Sequence, residues 1–294
     1  MEAGVRKGLG PVSLVHPIFD SVRPFFERLK DFSLEELNCL TEEKKIRTES
    51  GKPIRFVPPA PSDPYYEVHL FKTGQVQTRP ESKHDLFNAL AWLAFPKTKA
   101  RINAMHAVEI PKEQRSNGGR RGRLRDMLTI FDEGGAIAVC RDDVAELLRQ
   151  ARWRELFVER HRDLRIVVVG HAVLEQALQL SGPPHPGITC KVIFADPARD
   201  LDAQAADWLG AVGRTPRDMP PLPVFGYPGW FPGSDRPGFY DDERYFRLLQ
   251  RANTQVRSST HRCVPANMPP GAGQAAAASQ DAEESPGSIE RDAG

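Results

Sequence analysis

The chain has no apolar run long enough to span a membrane. Its longest apolar stretch, Phe87 to Phe95 interrupted by Asn88, falls far short of the roughly 20 residues a span needs. The opening residues, MEAGVRKGLGPVSLVHPIF, hold no apolar core of signal-peptide type. A cytoplasmic location with no membrane partner is therefore expected. No Cys-x-x-Cys pair occurs among Cys39, Cys140, Cys190 and Cys263, which argues against a zinc knuckle and against a disulfide framework. Cys140, after the apolar run GGAIAV, reads as a small buried hydrophobe. Excess charge of one sign is also missing: 40 Lys+Arg stand against 39 Asp+Glu, for a net charge of +1. A protein built to coat nucleic acid carries a clear basic excess. The chain lacks a Gly-x-Ser-x-Gly elbow, a phosphate-binding Gly-x-x-x-x-Gly-Lys-Ser/Thr loop, a His-Glu-x-x-His pair and a Gly-x-Gly-x-x-Gly turn after a strand. These absences remove the commonest sequence routes to a hydrolase, nucleotidase, metalloprotease or dinucleotide enzyme.

What is present suits a folded chain: 294 residues, 40% hydrophobic and 27% charged, enough for a sizeable core. Residues 17–50 read as helical, with Phe19, Val22, Phe25, Phe26 and Leu29 at helical spacing. Ser33 with Glu36 three residues on forms a capping box for a second helix. From Tyr65 to Arg79, Tyr66, Val68 and Leu70 alternate with polar neighbours, and a β-hairpin turning at Lys72-Thr73-Gly74 is expected. A short apolar helix from His84 to Phe95 should stop at Pro96, followed by a second from Lys97 to His106. MLTIF and AIAV read as strands around the turn Asp132-Glu133-Gly134-Gly135. Residues 142–160 read as an amphipathic helix with Val144, Leu147, Leu148 and Ala151 on one face. RIVVVG is a buried strand feeding the helix HAVLEQALQL, KVIFA is another strand, and Asp200 to Val212 is helical. Residues 216–240 are rich in Pro, Gly and aromatics. Such rings each bury roughly 150–250 Å², so an ordered extended arm packed on the core is expected. The fold class is α+β (irregular α/β), a small mixed sheet covered by helices, in one globular domain over 10–250. The Ala/Gly/Ser/acid-rich tail over 264–294 is expected to be disordered.

Four groups of residues could carry chemistry. His84, Asp85 and Asn88 open an apolar helix, where His84 and Asn88 share a face; they suit a metal ligand or a general base, or else a helix cap. His171 follows the strand RIVVVG directly and has Glu175 four residues on, so a carboxylate could orient its imidazole and raise its basicity. The bland alternative is an intrahelical pair worth about 0.2–0.5 kcal/mol. Asp132 and Glu133 before two glycines could bind a divalent metal ion through oxygen, or form a solvated turn. Arg115, Arg120, Arg121, Arg123 and Arg125 occupy a Gly/Arg-rich stretch that suits phosphate, or is an exposed loop. A further pattern, His84, Asn88 and His106 after a hairpin, loosely fits ββα-metal nucleases, but Asn88 on the same helix as His84 is wrong for that motif.

Five segments together resemble the bacterial domain-of-unknown-function family DUF3025. They are Glu67 with Thr78-Arg79, KHDLFNALAWLAFPKTKARIN, RDMLTIFDEGG, VVGHAVLEQAL, and PPLPVFGYPGWFPG with FYDDERYFR. They run in order through most of residues 10–250. The resemblance implies a single domain of that extent; it supplies no activity, cofactor or catalytic residue.

The leading functional expectation is a metal- or His/carboxylate-dependent hydrolase, phosphoesterase or nuclease-like. His84, Asp85, His171 and Glu175 would be catalytic, Asp132 and Glu133 would hold a divalent metal, and Arg79 and Arg125 would bind an anionic small molecule or nucleic acid. The alternative is a non-catalytic module that binds nucleic acid or protein through the Arg115–Arg125 loop and the aromatic arm. Convergence of His84, Asp132, Glu133, His171 and Glu175 in one open cleft separates the two.

Overall fold

The computed structural model describes residues 5–6, 10–60, 65–79, 81–116, 120–178, 188–234, 236 and 238–246. The tail expected to be disordered, 264–294, lies outside them. Strands β1 (Val5–Arg6) and β2 (Gly10–Pro11) pair antiparallel at the start of the chain. Helices α1 (Arg23–Phe26) and α2 (Leu34–Glu43) follow. The capping box forms as expected: Ser33 Oγ accepts the Glu36 N–H at 3.1 Å, and Glu36 accepts the Ser33 N–H at 3.1 Å.

The expected hairpin over 65–79 does not form. Strand β3 (Arg55–Val57) leads to helix α3 (Tyr66–Thr73) and strand β4 (Gln75–Gln77), and β4 pairs parallel with β3. Tyr66 and Leu70 lie one helical turn apart. Glu67 in the first turn and Lys72 in the last complement the helix dipole. Gly74, at φ 77°, is a left-handed helix stop whose N–H donates to the Leu70 carbonyl at 2.7 Å.

Helix α4 (Lys83–Ala94) ends at Phe95, and α5 (Pro96–Ser116) begins at once. Pro96 starts the second helix because a first-turn proline loses no intrahelical hydrogen bond. That helix runs ten residues beyond the expected end at His106. MLTIF is also corrected, from strand to the body of helix α6 (Arg123–Gly134). Its buried residues Met127, Leu128 and Phe131 sit one and four apart, which is helical spacing. Asp132 and Glu133 thus lie in the last turn of a helix, and strand β5 (Gly135–Val139) follows directly. The helix expected over 142–160 breaks after α7 (Asp142–Arg149): Ala151 takes φ 54°, and a π-type turn spans Glu155–Glu159. The chain then forms β6 (Arg165–Val168), α8 (His171–Ala177), β7 (Thr189–Ala195), α9 (Leu201–Gly210) and β8 (Pro221–Pro223).

The larger sheet is mixed, in the order β6-β5-β7-β8, with β5 antiparallel to β6 and parallel to β7, and β8 antiparallel to β7. Alternate side chains point to opposite faces. Ala136, Ala138, Ile166, Val168, Cys190 and Val192 join one core, with Phe87 and Leu90 of α4 and Val173 and Leu174 of α8. Ile137, Val139, Ile193 and Ala195 join a second core, with Met127, Leu128 and Phe131 of α6 and Leu209 of α9. Covering both faces is why these strands read as continuous apolar runs. Cys39, Cys140 and Cys190 are free thiols, and no helix among the described residues is long and apolar enough to cross a membrane.

The described residues of the Pro/Gly/aromatic arm pack inward as expected. Part of it, β8, is the edge strand of the sheet, a position where proline is tolerated. Phe225 and Trp230 are buried, and Tyr240 stacks on Phe157 at 5.7 Å between centroids. The Tyr227 hydroxyl donates to the Leu164 carbonyl at 2.6 Å, tying the arm to the segment before β6.

Candidate functional site

Helices α3, α4, α5 and α6, with Gln77, Arg79 and the first residue of α8, line an open polar cavity of about 440 Å³. Of the sequence candidates, Arg79, His84, Asp85, Arg125, Asp132, Glu133 and His171 line it, and Glu175 reaches it through His84.

Two histidines from distant parts of the chain meet in its wall. The Nε2 atoms of His84 and His171 stand 3.1 Å apart, with the rings nearly perpendicular at 73°. His171 Nδ1 lies 2.7 Å from the backbone carbonyl of Asp132, and His84 Nδ1 lies 3.0 Å from Glu175 Oε2. Counting donors and acceptors orders this chain. The carbonyl only accepts, so His171 carries its proton on Nδ1 and presents a lone pair at Nε2. His84 Nε2–H donates to that lone pair. The carboxylate of Glu175 faces the other ring nitrogen of His84, Nδ1. The result is a hydrogen-bonded line, Glu175–His84–His171–Asp132 carbonyl. His171 is buried, and burial pushes its pKa down to about 4; Asp132 opposes this, while Lys99 and His84 reinforce it. The imidazole of His171 is therefore neutral at pH 7, whereas the His84 side chain is 43% exposed. The His171–Glu175 pairing expected within one helix is corrected: Glu175 orients His84 of α4 instead.

The backbone places His171 with little latitude. Gly170 sits against the α6–β5 junction, where a Cβ would come within 2.5 Å of the Glu133 carbonyl oxygen and 2.6 Å of the Gly134 nitrogen. Only glycine allows this approach, which carries His171 Nδ1 to the end of α6.

Asp132 and Lys99 form an ion pair beneath the histidines, and the Lys99 ammonium also donates to Asn88 Oδ1 at 2.8 Å. Lys99 is 5% exposed. Burial alone would raise the Asp132 carboxyl, but Lys99 and His171 hold it below its ordinary value. Asp132, expected to bind a metal, has its carboxylate paired with the Lys99 ammonium. Among the described residues no group of three or more His, Cys, Asp and Glu side chains is arranged to hold a metal ion.

Asp85 is also engaged. It accepts the Arg79 N–H at 2.8 Å and the Arg79 guanidinium at 2.8 and 3.0 Å. Burial opposes ionisation of Asp85, yet these bonds hold its carboxyl below the usual range. Arg79 and Asp85 thus clamp the start of α4, where Ser82 caps the helix by accepting the Asp85 N–H at 3.2 Å. Arg125 donates to Glu113 at 2.7 Å and from Nε to His106 Nδ1 at 3.3 Å. Arg121 pairs with Asp126 at 3.0 Å.

Among the other lining residues are Glu67, Lys99 and Asn103, which were not sequence candidates, and His106, which entered only through the loose nuclease pattern. Asn103 donates to Glu67 at 2.7 Å, and burial pushes the Glu67 carboxyl up. His106, buried beside Arg125, is pushed down to about 4 by burial and by that guanidinium. The available signal was the run Lys99, Asn103 and His106 on one face of α5, polar positions that stay buried.

A family model described as "Protein of unknown function (DUF3025)" matches residues 54–250, which include every residue of the cavity. No curated protein and no solved structure matches the chain. The match covers more than half of the chain and runs through the same segments that carry the sequence resemblance, so the protein belongs to the DUF3025 family.

Proposed function

We propose that the protein is a His/carboxylate-dependent hydrolase acting on a small anionic ester, phosphoesters first among them, with residues 10–250 as its single domain. The observation that supports this is the line Glu175–His84–His171–Asp132 carbonyl in the wall of a polar cavity. His84, the more exposed imidazole, acts when its Nε2 parts from His171 and turns to the cavity, where that nitrogen takes a proton from water or gives one to the leaving group. Glu175 stabilises its charged form. His171 is a positioning residue: its fixed tautomer presents a lone pair that accepts a hydrogen bond from His84 Nε2 and holds that ring at rest. Arg79 and Arg125 keep N–H groups beyond those spent on Asp85 and Glu113, and these are available to substrate oxygens. A divalent metal at Asp132 and Glu133 is the weaker version of this reading, because Lys99 already neutralises Asp132.

The binding-module alternative ranks lower. Arg121 and Arg125 are ion-paired, and the arm turns its rings toward the protein's own core. The test is turnover of chromogenic phosphomonoester, phosphodiester and carboxylate ester probes, with and without a chelator. His84→Ala is expected to lower kcat by about 10²–10⁴-fold, and Glu175→Gln to lower it by less. Hydrolysis that survives His84→Ala undiminished would refute the assignment, and turnover abolished by the chelator would restore the metal version.

A further inference from the structure

His106 faces the cavity from α5, opposite in character to the histidine pair. It is buried at 4% exposure, and its Nδ1 lies 3.3 Å from Nε of Arg125. A guanidinium keeps its protons and has no lone pair to offer, so this ring nitrogen must accept. The hydrogen of the neutral ring is then on Nε2. Protonating Nδ1 would set two N–H groups head to head, so the contact with Arg125 holds the ring neutral. Arg125 is itself held in place: Glu113 accepts from its Nη1 at 2.7 Å and from the Gly122 N–H at 2.7 Å. Among the described residues nothing accepts from His106 Nε2, and that atom is not among the sealed, unpartnered polar atoms of the interior. Its hydrogen is therefore free for an occupant of the cavity. His171 is set the other way, with Nδ1–H spent on a carbonyl and Nε2 bearing the lone pair. The same cavity thus holds two buried imidazoles in opposite tautomers, one with its acceptor taken by His84 and one with a free donor.

We infer that His106 is a ligand-binding residue whose Nε2–H donates to an oxyanion of the substrate, a phosphoryl or carboxylate oxygen, beside the guanidinium of Arg125. A neutral imidazole fixed in this way stabilises negative charge on oxygen without giving up its proton. The Glu113–Arg125–His106 chain explains a buried ion pair that the histidine line does not use. The inference rests on reading the cavity as a substrate site, but it concerns binding and not turnover.

The test uses the full chain labelled with ¹⁵N at histidine. Long-range ¹H–¹⁵N correlation at pH 7 is expected to show His106 as the Nε2–H tautomer and His171 as the Nδ1–H tautomer, the His106 signals being those lost in His106→Gln. Inorganic phosphate and acetate are then titrated separately. A saturable shift of the His106 Nε2 signals supports the inference, and the anion that produces it identifies the oxyanion class. His106→Gln is expected to weaken binding of that anion about 10- to 100-fold, the loss typical of a hydrogen bond to a charged group. An Nδ1–H tautomer at His106, or signals that neither anion moves, would overturn it. If the His106 signals shift while no ester probe is hydrolysed, the hydrolase reading falls and this inference stands.

Discussion

Lowering the pH from 8 to 5 should remove a defined part of the protein's stability through His171. Its pKa is 6.5 as an ordinary imidazole and about 4 in the folded protein, where burial is the main cause. Because the folded value is depressed, the unfolded chain binds the proton more readily. The stabilisation is present in full above pH 6.5 and is lost progressively as pH falls toward 4. At pH 5 the unfolded imidazole is almost fully protonated and the folded one scarcely so, which corresponds to a loss of about 2 kcal/mol relative to pH 8. His106 carries a similar shift from a similar burial and adds to the loss. Glu67 acts in the opposite sense: burial raises its pKa, so the folded state takes up that proton first and gains stability on acidification. The measurement that isolates His171 is therefore a difference. Urea unfolding of the wild type and of His171→Gln is followed at pH 8 and pH 5. Glutamine keeps an N–H for the Asp132 carbonyl but does not titrate. The wild type is expected to lose about 2 kcal/mol more than the variant between the two pH values. Equal losses would mean that His171 is not a buried neutral imidazole, and the tautomer assignment would go with it.

Two further substitutions probe what supports the site. Lys99→Met should destabilise the protein by about 3–5 kcal/mol, because it leaves the Asp132 carboxylate buried without its cation. Lys99→Met with Asp132→Leu should recover most of that loss, and urea unfolding of the three variants tests it; a single substitution that costs nothing would show that the pair is solvated. Gly170→Ala drives a methyl group into the backbone of Glu133 and Gly134. It should cost about 1–3 kcal/mol in thermal unfolding and shift the His171 ring signals, whereas an unchanged melting temperature would show that the α6–β5 junction yields.

The chain's own pattern determined the fold class, and it named several residues that the fold brings into one cavity. Histidine and carboxylate at helix starts were legible because a polar residue in an apolar helix needs a partner, and Gly170-His171 after RIVVV marks a strand-to-helix junction. The capping box at Ser33 and Glu36, the strands AIAV and KVIFA, and an inward-packing aromatic arm could likewise be read, since each depends on local spacing or on burial of large rings. Two short windows were misread for one reason. Alternation at Tyr66, Val68 and Leu70 coexists with the helical spacing of Tyr66 and Leu70, and a window of this length does not separate periods of 2 and 3.6. MLTIF has the same ambiguity, which the approach of α6 to α5 and to the sheet resolves. Sequence placed His171 and Glu175 on one helix face; only the tertiary structure decided that Glu175 serves His84 of another helix. Only packing could bring Lys99 under Asp132, or set Arg125 against His106 and so fix which ring nitrogen holds the proton. Periodicity decides which face of an element is buried. It carries no information on which polar group lies opposite, and in a low-dielectric cavity that neighbour decides the charge and the chemistry.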